Sequence, residues 1–85
     1  MKKAYLKVND LGEGFFSSER ILEARNYYGT PIWGFFDKDN IKNGRLVVSV
    51  SEKQEGDYVG VIVPQFFEDE GDIVLVKKSD LEYAT

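Results

Sequence analysis

Apolar and polar residues alternate with a period of two along most of this chain, and turn-forming residues break the alternation roughly every ten positions. Ala4, Leu6 and Val8 alternate with Tyr5 and Lys7, which predicts a first strand. Asn9 to Ser18 holds Gly12, Gly14, Ser17 and Ser18 and reads as a long loop carrying Phe15 and Phe16. Glu19 to Tyr28 is rich in good helix formers, with Ser18 placed to cap and Gly29 to terminate. Pro31-Ile32-Trp33-Gly34-Phe35-Phe36 follows at once as a strand, so a hairpin turning near Tyr28-Gly29-Thr30 accounts for both pieces and favours strand. Asp37 to Gly44 is turn chemistry with room for one helical turn capped by Asp37 or Asp39. Arg45 to Ser51 then reads as a strand, Glu52 to Gly56 as a turn, and Asp57 to Val63 as the next strand. Gln65 to Gly71 reads as an acidic loop holding Phe66 and Phe67, and Asp72 to Lys78 as the last strand. Ser79 to Tyr83 has the pattern of a single capped helical turn.

Five or six short strands, one long loop and no convincing helix predict an all-β domain closed as a small barrel, since closure removes exposed edges. An OB-like barrel is the alternative, but Asp37 to Gly44 is too short for its usual helix, so an SH3-like barrel or roll leads. Phe15-Phe16-Ser17-Ser18-Glu19, Gly29 to Phe36 with Asp37-Lys38-Asp39, Gly56-Asp57-Tyr58-Val59, and Val74 to Leu81 follow one another in an order that resembles small uncharacterised bacterial SH3-like β-barrel proteins. The resemblance spans most of the chain. It implies the fold, no activity, and no functional residue to carry over.

At 85 residues there is room for one core only. The 42% apolar and 31% charged content is that of a globular domain rather than a disordered segment. No run approaches the ~20 apolar residues of a membrane helix, and the N-terminal charges lead into no signal-peptide core. The absence of cysteine in so small a domain predicts a reducing, cytoplasmic setting.

Charge is uneven. Glu52 to Asp72 carries seven acids against Lys53 alone, a local −6 within an overall −4. Lys2, Lys3, Lys7, Lys77 and Lys78 make at most a modest basic patch, so duplex binding is not expected and the lysines read as guards of strand edges. With no His and no Cys, the commonest metal ligands and the Ser-His-Asp and Cys-His arrangements are ruled out within one chain. Asp37, Asp39, Asn40 and Asn43 depart from a calcium loop at Ile41 and Lys42, and Glu68, Asp69, Glu70 and Asp72 read as a solvated turn. No cofactor and no catalytic residue are predicted.

The aromatic doublets carry the functional expectation. Adjacent strand residues point to opposite faces, so a doublet such as Phe35-Phe36 cannot place both rings in one core. Phe15-Phe16 and Phe66-Phe67, read as loop residues, are placed either to cap the barrel ends or to form an exposed surface. The expectation is a non-catalytic module in which Trp33, Phe35, Phe36, Tyr28, Phe66 and Phe67 anchor a protein partner, with Glu68, Asp69 and Glu70 steering a basic surface towards them. The alternatives are stacking of single-stranded nucleic acid on the same rings, which the acidity disfavours, and small-ligand binding in a homodimer. Both faces of the last two strands are apolar (Val59, Val61 and Val63 against Tyr58, Gly60 and Ile62; Val74 and Val76 against Ile73 and Leu75). The Asn9–Ser18 loop, the C-terminal turn or a second copy in a homodimer must cover the outer one.

Overall fold

A computed structural model describes residues 2–84, with the backbone alone at 52 and 53. The described residues form nine strands: β1 (Lys2–Lys7), β2 (Asn9–Glu13), β3 (Glu19–Arg25), β4 (Pro31–Asp37), β5 (Ile41–Lys42), β6 (Arg45–Glu55), β7 (Tyr58–Phe67), β8 (Gly71–Lys77) and β9 (Leu81–Tyr83). Single 3-10 turns at Lys38–Asn40 and Lys78–Asp80 precede β5 and β9. The larger sheet runs β8-β7-β6-β1-β9, with β5 beside the start of β6; the smaller runs β2-β3-β4. Every pairing is antiparallel. None of the described residues forms a helix long and apolar enough to cross a membrane.

The alternation read from the sequence becomes the core. Ala4, Leu6, Leu22, Ala24, Ile32, Phe36, Leu46, Val48, Val50, Val59, Val61, Val63, Phe67, Val74 and Val76 are all buried, and among the described residues no polar or charged residue is buried with them. Strands β1, β3, β4, β6, β7 and β8 therefore contribute alternate residues to one apolar layer between the two sheets. At about 1.5–3 kcal/mol for a fully buried Val, Leu or Phe, that layer is the main source of stability.

Strand β4 joins the sheets by crossing the far end of β7. The Glu68 backbone N–H donates to the Trp33 carbonyl at 2.7 Å, and the Asp37 N–H donates to Gln65 Oε1 at 2.8 Å. Gly34 lies against the β7 backbone so closely that a Cβ there would sit 2.5 Å from the Phe66 carbonyl oxygen. Beyond this crossing the β3–β4 hairpin tip reaches β8, where the Tyr27 N–H donates to the Leu75 carbonyl at 2.8 Å. The hairpin thus does, at Leu75, part of the covering expected of another segment; Ile73 on the same outer side stays 61% exposed.

The strand reading of Glu19–Arg25 and the hairpin after it are both present. So is the helical turn after Asp37, which occupies the N-cap position without a capping side-chain bond. Asn43 and Gly44 close the β5–β6 hairpin with φ of +53° and +78°, the two-residue turn that suits twisted strands.

Other segments correct the sequence reading, beginning with the strand count of nine in place of five or six. Asn9–Glu13 is a strand rather than loop: it is an exposed edge, so it lacks a buried alternation, and a bulge between Asp10 and Gly12 breaks its period. Asp10 builds that bulge by accepting from the Gly12 N–H at 2.9 Å and holds Arg20 of β3 through two parallel contacts near 3.0 Å. The Arg20 hydrogen bond keeps the Asp10 carboxyl below the usual carboxylate range. Strand β6 continues through the polar stretch read as a turn, because its ladder resumes at Gln54↔Val59 after a register shift; the turn is Gly56–Asp57. Phe66 and Phe67 end strand β7 instead of lying in a loop, held there by β4. Residues 81–83 pair with β1 as a strand, leaving only the 3-10 turn at Lys78–Asp80 of the helical turn expected after Lys78.

Candidate functional site

Alternation along β4 sends Ile32, Gly34 and Phe36 inward and Trp33 and Phe35 outward. The same parity on β7 continues Val59, Val61 and Val63 into Phe67 and turns Phe66 out. Phe36 and Phe67 are therefore core residues, fully buried, with ring centroids 4.9 Å apart, and are withdrawn from the set of surface anchors. Their neighbours in the chain are the outward members of each doublet, Phe35 half-buried and Phe66 exposed.

The outward rings meet a third aromatic pair. The turn between β2 and β3 is fixed by Gly14 N–H donating to the Glu19 carbonyl at 3.1 Å and by Glu19 N–H donating to the Phe16 carbonyl at 3.0 Å. Lys38 N–H donates to the Ser18 carbonyl at 2.9 Å and ties the turn to the end of β4. A turn so held keeps both of its rings in water: Phe15 is 85% and Phe16 68% exposed. The Phe15 ring stacks on Phe35 at 5.1 Å and 24°, and Trp33 meets the same Phe35 edge-on at 5.6 Å.

Phe15, Phe16, Phe35 and Phe66, with Glu19, Gln65 and Glu68, line a groove of about 350 Å³. Among the described residues no lysine or arginine lines it. Phe15, Phe16, Glu19 and Gln65 are the residues that the sequence reading left out of the site. The Phe-Phe doublet within a Gly- and Ser-rich stretch was the available signal, but nothing in the chain tells that this turn folds over β4.

The acidic turn is divided between two surroundings. Glu68 borders the groove, and its carboxylate has no hydrogen-bond or ion-pair partner among the described residues. Asp69 occupies the turn itself, with φ +66°. Glu70 points to the hairpin tip, where its Oε1 accepts from Asn26 Nδ2 at 3.2 Å. Among the described residues no three acids gather closely enough to hold a metal ion.

Tyr28 is exposed on that tip and belongs to a separate cluster. Its ring packs edge-on against Tyr27 at 5.4 Å, and Tyr27 packs against Tyr58 at 5.0 Å. The Tyr58 hydroxyl donates to Glu55 Oε2 at 2.9 Å, a bond that raises its pKa. The negative charge of Asp57, together with a hydrogen bond to it, raises that of Tyr27. Both shifts favour the neutral phenol in the folded state, so their stabilisation is complete below the ordinary tyrosine value of about 10 and is lost as pH rises through the raised values. Absorbance titration at alkaline pH is expected to show two of the five phenols ionising above the ordinary range. Glu55→Gln and Asp57→Asn should each bring one of them back, and a titration unmoved by either change would contradict the assignment.

Comparison of the chain with models of known protein families, with curated proteins and with solved structures gave no match.

Proposed function

We propose that this chain is a non-catalytic protein-binding module that receives a basic segment of its partner in the groove of Phe15, Phe16, Phe35 and Phe66. The observation that carries the reading is the exposure of three of these rings, with Phe66 at 55% beside Phe15 and Phe16. Each ring left in water forgoes about 1.5–3 kcal/mol of burial, a large sum for a domain of this size. Held by a bonded turn, they suit desolvated anchors completed by a partner. Among the described residues Glu19 and Glu68 are the ionic groups on the lining, and they favour a cationic occupant over a phosphate backbone. Trp33 extends the aromatic surface, while Asp69, Glu70 and Tyr28 lie further along the same turn and tip.

A cytoplasmic setting, the absence of a cofactor and an SH3-like roll belong to the same reading. The strand order β9-β1-β6-β7-β8, the β6-β7-β8 meander and the 3-10 turn before β9 support the roll.

The test compares affinity capture from source-cell lysate by the tagged protein and by its Phe15→Ser/Phe66→Ser variant, washed at low and then high salt. The expected result is a partner held by the unaltered protein, released by salt, and weakened by about 30-fold or more in the variant, the scale of two hot-spot contacts. Identical recovery by both proteins overturns the reading. Recovery of nothing but further copies of this chain would instead favour a homodimer through the exposed Ile73.

A further inference from the structure

We propose that the group received by the groove is an arginine side chain, its guanidinium plane laid against the Phe15, Phe35 and Phe66 rings and its N–H fork turned onto Glu68. The assignment rests on the groove being a binding site and says what chemistry it selects.

Three observations converge on it. The lining joins aromatic faces to carboxylates and, among the described residues, contains no cation, which favours positive charge where its walls are apolar. The Glu68 carboxylate lacks a partner among the described residues, while its backbone is fixed by the 2.7 Å bond to the Trp33 carbonyl. Glu19 spends Oε1 on a long 3.4 Å contact from the Phe16 N–H, and its Oε2 has no partner among the described residues.

An apolar occupant would dehydrate Glu68 with nothing to pair it, which offsets part of what the rings return. A nucleotide would bring its phosphate against two carboxylates. A lysine ammonium would satisfy the charge, but it is compact and strongly hydrated. A guanidinium is planar, weakly hydrated and able to stack on a ring while forking to a carboxylate. The groove offers those two surfaces together.

The test uses a nine-residue Gly-Ser peptide carrying three arginines, with lysine and citrulline counterparts, titrated into the isotope-labelled protein and followed by NMR. The arginine peptide should shift Phe15, Phe16, Phe35, Phe66 and Glu68 resonances, and its δ-methylene protons should move upfield under the rings. Binding should fall about three-fold or more with lysine and about ten-fold or more with citrulline, which keeps the shape and loses the charge. Glu68→Gln should weaken the arginine peptide about three-fold or more and leave the citrulline peptide unchanged. Equal binding of all three peptides, or shifts that map elsewhere, would overturn the assignment. No peptide binding, with cellular capture still lost in the Phe15→Ser/Phe66→Ser variant, overturns arginine and leaves the binding groove standing; loss of both distinctions removes both.

Discussion

Phe36→Ala is expected to leave the protein largely unfolded under conditions in which Phe35→Ala leaves it folded. Phe36 is fully buried, and its ring lies 4.9 Å from that of Phe67 at a 60° tilt, one ring from each sheet. Truncating it removes the burial of a large side chain and leaves a cavity between the sheets, a cost of about 3–5 kcal/mol. An 85-residue domain has roughly 4–13 kcal/mol in total at the usual stability per residue, so the loss takes a large share of it. Phe35, one residue earlier, faces the groove and packs on the exposed Phe15, so its removal should cost less than half as much. Urea denaturation followed by circular dichroism separates the two; a Phe36→Ala midpoint near that of Phe35→Ala would mean that this ring pair does not join the sheets. Phe36→Leu should recover much of the loss, since it refills most of the space.

Gly34→Ala is the second change with a large expected effect, and it acts by putting one methyl in place of a hydrogen. The new methyl would lie 2.5 Å from the Phe66 carbonyl oxygen, 3.0 Å from the Phe36 ring and 3.2 Å from the Phe67 Cα. Two of those neighbours are backbone and cannot turn aside as a side chain would. The strand must move off β7, for about 2–3 kcal/mol of overpacking or more. That movement stretches the bond from Glu68 N–H to the Trp33 carbonyl. Alongside a lowered denaturation midpoint, amide exchange at Glu68 should therefore accelerate beyond that of the β6–β7 ladder. Unchanged protection at Glu68 would show that β4 does not depend on this close approach. Because the acidic turn and the groove are both hung on the β4–β7 crossing, the same change should also weaken partner capture.

Much of the fold was legible because most strands bury one face. Leu46, Val48 and Val50, or Val59, Val61 and Val63, announce themselves by alternation. Asn9–Glu13 does not, since every residue of this edge strand is exposed or half-exposed and its bulge interrupts the period. Leu81–Tyr83 buries only part of Leu81, and its Ser-Asp-Leu-Glu surroundings resemble a cap; only the partner strand β1, far away in sequence, decides the matter.

The site was half legible for a related reason. Opposite-facing neighbours required one ring of Phe35-Phe36 to leave the core, whereas Phe66-Phe67, read as loop residues, were left free either to cap the barrel or to be exposed. That Pro64 and the acids after Phe67 would not end the strand follows from the contact with β4, which no local pattern contains. The meeting of Phe15 with Phe35 likewise needs the β2–β3 turn to fold over, a tertiary event invisible to periodicity.

The placement of β1 between β6 and β9 sets an order on folding. The β6-β7-β8 meander is stitched by two short turns and can form as soon as those residues exist as chain. Strand β1 must wait for partners some forty residues away at β6, about 40 positions along, and at β9 nearly twice as far, each delay adding loop-closure entropy. During synthesis it is thus a free strand with open hydrogen-bonding edges, the kind of segment that pairs with a neighbouring chain. Lys2, Lys3 and Lys7 stud that strand with like charges around Ala4 and Leu6, so two nascent copies repel where they would otherwise zip together.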